Sequence, residues 1–425
     1  MSRIDMVRRE GRRVKTQPKR HGVALCLSGG GFRAALFHLG ALRRMHELGV
    51  LGQVRSISSV SGGSILAAFL ADAMVAADKA GGADDFARWL QTLDWQRDIE
   101  TPFCQFVSHD LRTGLILRHL AWNWLRPEFR VRDLERTYQR RLTKLTLGQL
   151  PKYPKFILCA TNLTFGVNWI FTRKLAGDYR AGYLASASEW PLARAVAASS
   201  SFPPVFGPMP IRAPAEDYQR GSYREPGYEK LLARTALTDG GVYDNVGLEP
   251  VWKSHADLLV SDCGAPFAFS LQNTPLRRLL RYTAVIAQQA FSLRLRLLFS
   301  GDRDEKYRAV YWNINTAAAD DAPPTRFAGY SSELVKEVVS GVRTDLDAFT
   351  KAEMRVLINH GYYAADRRIG KYGDGLIATP GPTQTPYPQW EDAAEVRRAL
   401  RTSHRRVSLA RCVTVFMERR GIATE

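Results

Sequence analysis

Cysteine is scarce in this chain: five in 425 residues (Cys26, Cys104, Cys159, Cys263 and Cys412), widely spread and with no CxxC pair. That spacing argues against a disulfide framework and a structural zinc site, and fits a reducing compartment. Acidic residues are in deficit, 42 against 60 Lys and Arg, which leaves a net charge of +18. No apolar run reaches the ~18 residues of a membrane helix; the nearest, Ile65 to Ala77, is short and carries Asp72. The first 20 residues are polar and lack the ~7–15-residue apolar core of a secretory signal. These absences predict a cytoplasmic protein that meets membranes only peripherally, at their surface. No internal repeat is visible.

What is present is ordinary globular usage, 45% hydrophobic and 24% charged. This excludes a disordered chain, a collagen-like one and a coiled-coil rod. At roughly 150 residues per domain, the length allows two or three domains, or one large one with insertions. Basic residues crowd both ends, from Arg8 to Lys19 and from Arg397 to Arg420. Such an excess invites an anionic partner, either nucleic acid or an acidic membrane face.

Residues 1–20 read as a flexible basic arm. Val23 to Leu27 is a short apolar run closed by Ser28-Gly29-Gly30-Gly31, which suits a buried parallel strand. From Phe32 to Leu48 the apolar residues recur at helical spacing, and Gly49 supplies a stop. Val54 to Val60 is a second strand, running into Ser61-Gly62-Gly63-Ser64 and an apolar helix over 65–77. Strand, helix, strand, helix is the pattern of a layered α/β sheet. Further strands are expected over 156–160, 169–172 and 257–260. Helices are expected over 84–95, 131–143, 191–199, 276–299, 330–340 and 346–359, with caps at 82–84 and 331–332. Residues 376–390, with Pro380, Pro382, Pro386 and Pro388, read as an extended linker. A basic terminal helix follows over 391–418, within a last segment of 391–425.

Three short motifs could carry chemistry. Gly29-Gly30-Gly31-Phe32-Arg33 lies between a strand and a helix, where turned-out backbone N–H groups and the helix start make an anion cradle. A dinucleotide site would also need an acidic residue about 20 positions on, and a triphosphate loop would need Gly-Lys-Ser or Gly-Lys-Thr; neither is present. Ser61 sits at a strand-to-helix junction with Gly62 and Gly63 behind it, as a nucleophile elbow requires, although Ser59 stands where the usual motif has glycine. Asp239-Gly240-Gly241 is a tight turn or a base with an open backbone neighbourhood.

In order and spacing, these motifs resemble those of the patatin-like phospholipase family. The blocks stand here as Gly29-Gly30-Gly31-Phe32-Arg33-Ala34, Ser59-Val60-Ser61-Gly62-Gly63 and Asp239-Gly240-Gly241. A fourth stretch, Ala198-Ser199 through Phe206, is similar to the family's Ala-Ser…Pro…Phe segment. The resemblance covers roughly 22–265. It implies a three-layer α/β/α sheet with helical insertions and a helical C-terminal extension, in a catalytic domain over 21–375. It implies a serine acyl hydrolase of phospholipids or lysophospholipids, with Ser61 as nucleophile and Asp239 as base in a dyad without histidine. Gly29, Gly30, Gly31 and Phe32 would form the oxyanion hole, supported by Arg33, Gly63, Gly240 and Gly241. No metal or organic cofactor is implied.

Alternatives stay open from the residues alone. A Ser-His-Asp triad would take Ser61, then Asp239 or Asp262, then His360 or His404. Asp244 could also serve as base, and His38 could tune the site. Arg33 could hold its loop, pair at the surface or meet a lipid phosphate. The stretches 115–125 and 291–299 mix aromatic or apolar residues with cations, as interfacial segments do; core packing with a basic outer face is the other reading. A second function class is a basic nucleic-acid-binding or scaffold protein. No recognisable reading module accompanies the charge, so no specific nucleic-acid partner is expected.

Overall fold

The computed structural model describes residues 20–78, 86–111, 128–203, 206–223, 225–267, 274–317, 327 and 329–404. The basic arm, the cap at 82–84 and the segment 115–125 lie outside the described residues, apart from Arg20.

Strand β1 (Val23–Leu27) is buried throughout, and its alternate residues feed two different cores. Val23, Leu25 and Leu27 join the larger core, while Ala24 and Cys26 join the smaller one. That alternation follows from the two-residue period of a strand covered on both faces. Beside β1 run β2 (Val54–Val60), β3 (Lys155–Asn162), β10 (Asp257–Asp262) and β11 (Arg308–Asn313), all parallel, in the order β11-β10-β1-β2-β3. Beyond β3 the sheet turns antiparallel through β4 (Val167–Phe171), β5 (Ala176–Asp178), β6 (Gly182–Leu184) and β8 (Tyr218–Gln219). Two short strands, β7 (Met209–Pro210) and β9 (Ala236–Asp239), attach to β3 through β9.

The larger core packs helices α1 (Gly31–Glu47), α2 (Gly62–Asp78), α3 (Glu128–Arg141), α4 (Leu192–Ser199), part of α6 (Lys351–Tyr372) and α7 (Ala393–Leu400). On the opposite face, Leu295, Leu298 and Phe291 of α5 (Pro275–Arg303) pack with Val246, Leu248 and Val251. The result is helix, sheet, helix in three layers. Strand order reverses at β1, between β10 and β2, and ligand crevices in such sheets open at the strands' carboxyl ends near that point.

Six strands, β5 to β9 and β11, have no counterpart in the sequence reading. β11 opens on Arg308 and alternates irregularly, and β9 is only four residues long. Helix α6 starts at Lys351 rather than 346. Thr350 and Glu353 form a capping box there, and Asp347 is held by the Arg343 guanidinium at 2.7 Å, so residues 343–349 are tied as a loop. It then runs to Tyr372, well past the expected end at 359. Over 84–95 the described helix is only Phe86–Gln91, followed by a wide turn that Asp94 caps. Ser331 caps the short helix after it, as expected. The proline segment is pinned: Asn359 exchanges two hydrogen bonds with the Tyr387 backbone, at 2.8 and 3.1 Å. The terminal helix is described only as α7, and 405–425 lie outside the described residues. Among the described residues, no helix is long and apolar enough to cross a membrane.

Candidate active site

One edge of β3 brings Ser61 and Asp239 together. Cys159 pairs with Val60, the last residue of β2. The next residue, Ala160, pairs with Asp239, the last residue of β9. The two strands meet this edge from opposite directions, one parallel and one antiparallel, and both turn off the sheet there. Ser61 and Asp239, 178 positions apart by number, are therefore neighbours through backbone pairing. Sequence spacing carries no trace of this.

Ser61 holds a left-handed backbone, φ 49°, which is strained for a residue with a Cβ. The surroundings enforce it. Its N–H donates to the Ser199 hydroxyl at 2.9 Å, and that hydroxyl donates to the Cys159 carbonyl at 2.6 Å. Behind it a Cβ on Gly62 would overlap the Gly31 carbonyl, and one on Gly63 would overlap the Leu27 carbonyl. The glycines let the elbow, the glycine loop and the β1 end pack backbone to backbone. Ser61 is 8% exposed.

Asp239 is buried on all sides. One carboxylate oxygen, Oδ1, accepts the Gly241 N–H at 2.7 Å; the other, Oδ2, has no partner among the described residues. Burial raises its pKa to about 6, with the Gly241 N–H pulling the other way; the Ser61 hydroxyl lies near enough to add a weaker pull without meeting hydrogen-bond geometry. Gly240 and Gly241 keep the turn open: a Cβ on the first would overlap the Cys159 carbonyl, and one on the second would lie 3.0 Å from Oδ1 of Asp239. The Ser199 carbonyl accepts the Gly240 N–H at 3.2 Å, so Ser199 clamps both turns. In the sequence Ser199 stands out only as part of its Ala-Ser motif; nothing local signals that it bridges the two strands.

The glycine loop lies beside this pair, with Gly29 facing the Ser61 Cβ. Not all four expected oxyanion donors are available. The Gly29 N–H donates to the Asn245 carbonyl at 3.1 Å, and the Phe32 N–H donates to the Asp345 carbonyl at 2.9 Å. Gly30 and Gly31, both at positive φ, keep N–H groups without an acceptor among the described residues. The Phe32 side chain is instead buried against Phe106 and Phe349.

Arg33 is not at the surface and does not face a ligand phosphate. It is buried and donates to the carbonyls of Ser340, Val342 and Cys263 at 2.9–3.0 Å. His38 is also structural in its contacts. Its Nε2 donates to the Ser28 carbonyl at 3.0 Å, so Nδ1 accepts from the Ser261 hydroxyl at 2.7 Å. Burial lowers its pKa to about 4, which keeps the ring neutral. Both residues hold the loop from behind. The Asn245 side chain was missed: a Cβ on Gly29 would overlap its Oδ1, and one on Gly241 or Gly264 would come within 2.6–2.8 Å of its amide. It fills the gap between the glycine loop and the Asp239 turn.

The rival bases are engaged elsewhere. Asp244 accepts the N–H groups of Val246 and Glu249 and pairs with Arg294 at 3.3 Å. Asp262 accepts the Gly264 N–H and the Tyr311 hydroxyl. His360 donates from Nε2 to the Ile314 carbonyl at 2.7 Å and packs between Phe37 and Tyr330. His404 is exposed beyond α7. Among the described residues, no group of three or more His, Cys, Asp or Glu side chains could hold a metal ion.

A strand-end serine elbow, a glycine loop and a buried aspartate thus lie together at one point of an α/β/α sheet. The family model of patatin-like phospholipases matches residues 25–252, just over half of the chain, and the chain belongs to that family. Membership supports a lipid hydrolase. Similar solved structures include human GIVD cytosolic phospholipase A2 in complex with methyl gamma-linolenyl fluorophosphonate inhibitor and terbium chloride. That pair is 13% identical, with a TM-score of 0.43, over 91% of this chain and 60% of that one. Another structure of the human protein gives 13% identity and a TM-score of 0.39, over 90% and 63%. VipD from Legionella pneumophila gives 15% identity and a TM-score of 0.33, over 84% and 67%. The chain thus spans less than two thirds of the human enzyme's length. No curated protein matches it.

Proposed function

We propose that this protein hydrolyses acyl esters of phospholipids or lysophospholipids through Ser61 and Asp239. The Ser61 hydroxyl oxygen attacks the ester carbonyl carbon while Asp239 Oδ2 takes the hydroxyl proton. Negative charge gathers on the former carbonyl oxygen, opposite the N–H groups of Gly30 and Gly31, and each such donor is worth about 2.7–4 kcal/mol of barrier. The tetrahedral intermediate collapses, the C–O bond to the lipid alcohol breaks, and Asp239 returns the proton to that alcohol. Water then gives its proton to Asp239 and attacks the acyl-enzyme; the fatty acid leaves and Ser61 is reprotonated.

The observation that carries this reading is the strained Ser61 beside a buried carboxylate whose second oxygen is unshared. A fluorophosphonate probe tests it. The native protein is expected to label, and Ser61→Ala to lose both labelling and hydrolysis of a mixed phospholipid and lysophospholipid panel. Undiminished labelling of Ser61→Ala would overturn the assignment.

We further propose that catalysis takes place at an anionic membrane surface. On α5, Tyr282, Ile286, Leu293 and Leu297 are exposed at i, i+4, i+11 and i+15, along one face. Arg278 and Arg296 are exposed on the same helix. Apolar residues flanked by cations suit a headgroup layer, where each basic residue adds about 1 kcal/mol. Co-sedimentation should favour anionic over neutral vesicles, and equal binding to both would end the electrostatic reading.

A further inference from the structure

A second concave site lies on the outer side of the elements that hold Ser61 and Asp239. It is a cleft of about 470 Å³, and its charged and aromatic lining is Arg132, Glu135, Arg136, Arg194, Arg212 and Trp190. Its floor includes Met209 and Ile211, both buried. The cleft follows from the pattern of α3. Val131, Leu134 and Tyr138 turn into the core, which leaves Arg132, Glu135, Arg136 and Gln139 along the outer face.

The charges do not balance. Glu135 accepts from Arg194 at 3.1 Å, and Asp133, beside the cleft, accepts from Arg136 at 2.9 Å. Neither Arg132 nor Arg212 has an ion pair or hydrogen bond with a described residue. Arg194 also lies over the Trp190 ring, 5.3 Å from its centroid, which fixes the guanidinium at the cleft wall. Four arginines thus line one concave space with a single carboxylate among its lining residues. Nothing in the ester-cleaving scheme uses them.

We propose that this cleft binds a phosphate-bearing ligand, either a soluble phosphorylated molecule or a phosphorylated lipid headgroup. Planar guanidiniums match phosphate oxygens with paired, charge-assisted hydrogen bonds. The volume falls within the ~300–1,000 Å³ of small-molecule sites. A ligand here would rest on the three elements behind the dyad. Tyr138 of α3 lies 3.1 Å from the Ser200 hydroxyl, α4 ends in Ser199, and β7 pairs Met209 with Leu237 of β9. The proposal goes beyond the hydrolase reading and does not rest on it.

The test is equilibrium binding on the Ser61→Ala background, so that turnover does not enter. Calorimetry with pyrophosphate and with ATP covers soluble ligands. Co-sedimentation with phosphatidylcholine vesicles, with or without a phosphoinositide, covers headgroups. At least one probe should bind, and Arg132→Ala/Arg212→Ala should weaken that binding at least tenfold, while Arg234→Ala, an exposed control, leaves it unchanged. An unshifted melting temperature is expected for the double variant, because neither side chain bonds the described protein. Binding of pyrophosphate or ATP would identify a soluble ligand, and binding of phosphoinositide vesicles alone would identify a headgroup. Failure of every probe to bind, or binding that the double variant leaves intact, would overturn the proposal.

Discussion

Asp239 sets the terms at the residue scale. An exposed aspartate is a weak base, and burial strengthens this one by raising its pKa to about 6. The gain in basicity costs stability, because the native carboxyl holds its proton more tightly than the unfolded chain does. From about pH 4 to pH 6 the native state binds the extra proton, so stability falls as pH rises through that window. Activity runs the other way: kcat/KM should rise through about pH 6 as the carboxylate forms. Asp239→Asn should therefore abolish hydrolysis yet raise stability at pH 8 by about 3 kcal/mol, readable as a higher denaturant midpoint. A flat pH–rate profile between pH 5 and 7, or an Asn variant less stable than the native protein at pH 8, would contradict this account. The proposed pair, Ser61 and Asp239, was legible as residue types within motifs. The loss of Gly29 and Phe32 as oxyanion donors was not, since their acceptors, Asn245 and Asp345, lie more than 200 positions away in sequence.

Helices α1 and α6 show the same division at the scale of elements. The first was readable from Leu36, Leu39, Leu42 and Met45, whose helical spacing buries one face. What packs against it was not readable. α1 and α6 cross so closely that a Cβ on Gly40 would overlap the Ile358 carbonyl, and one on Gly361 would overlap the Phe37 carbonyl. Each glycine serves the other helix's backbone. Gly40→Ala and Gly361→Ala should each destabilise the protein by about 3 kcal/mol or more, because backbone, unlike a side chain, cannot swing aside. Urea titration of both variants checks this, and a loss below 1 kcal/mol would mean the helices can slide apart freely. β9 makes the complementary point. Four residues bounded by a turn carry almost no periodic signal, and yet this strand places the candidate base.

For the whole molecule, the chain beyond residue 265 has no motif, yet it supports the glycine loop. The Asp345 carbonyl receives the Phe32 N–H, and Ser340 and Val342 receive Arg33. Arg343 holds that segment through buried bonds to Asp347 and Glu353 at 2.5–2.7 Å. The larger core continues from Val23 to Leu400. A fragment ending at residue 267 should fail to fold cooperatively and should not label with fluorophosphonate. A soluble fragment with a sharp thermal transition and full labelling would show that the later chain is dispensable.

By itself, the sequence determined the layered α/β class, the first two strand–helix units, the elbow at Ser61 and the glycine loop. These are local, set by runs of apolar residues, by their period and by glycines at turns. Only the tertiary structure decided which donors stay free, which carboxylate meets Ser61, how Ser199 clamps both turns and what braces the loop from behind. Each of those depends on backbone pairing or burial between segments distant along the chain. Such contacts arise when the layers close over one another, and no local period encodes them.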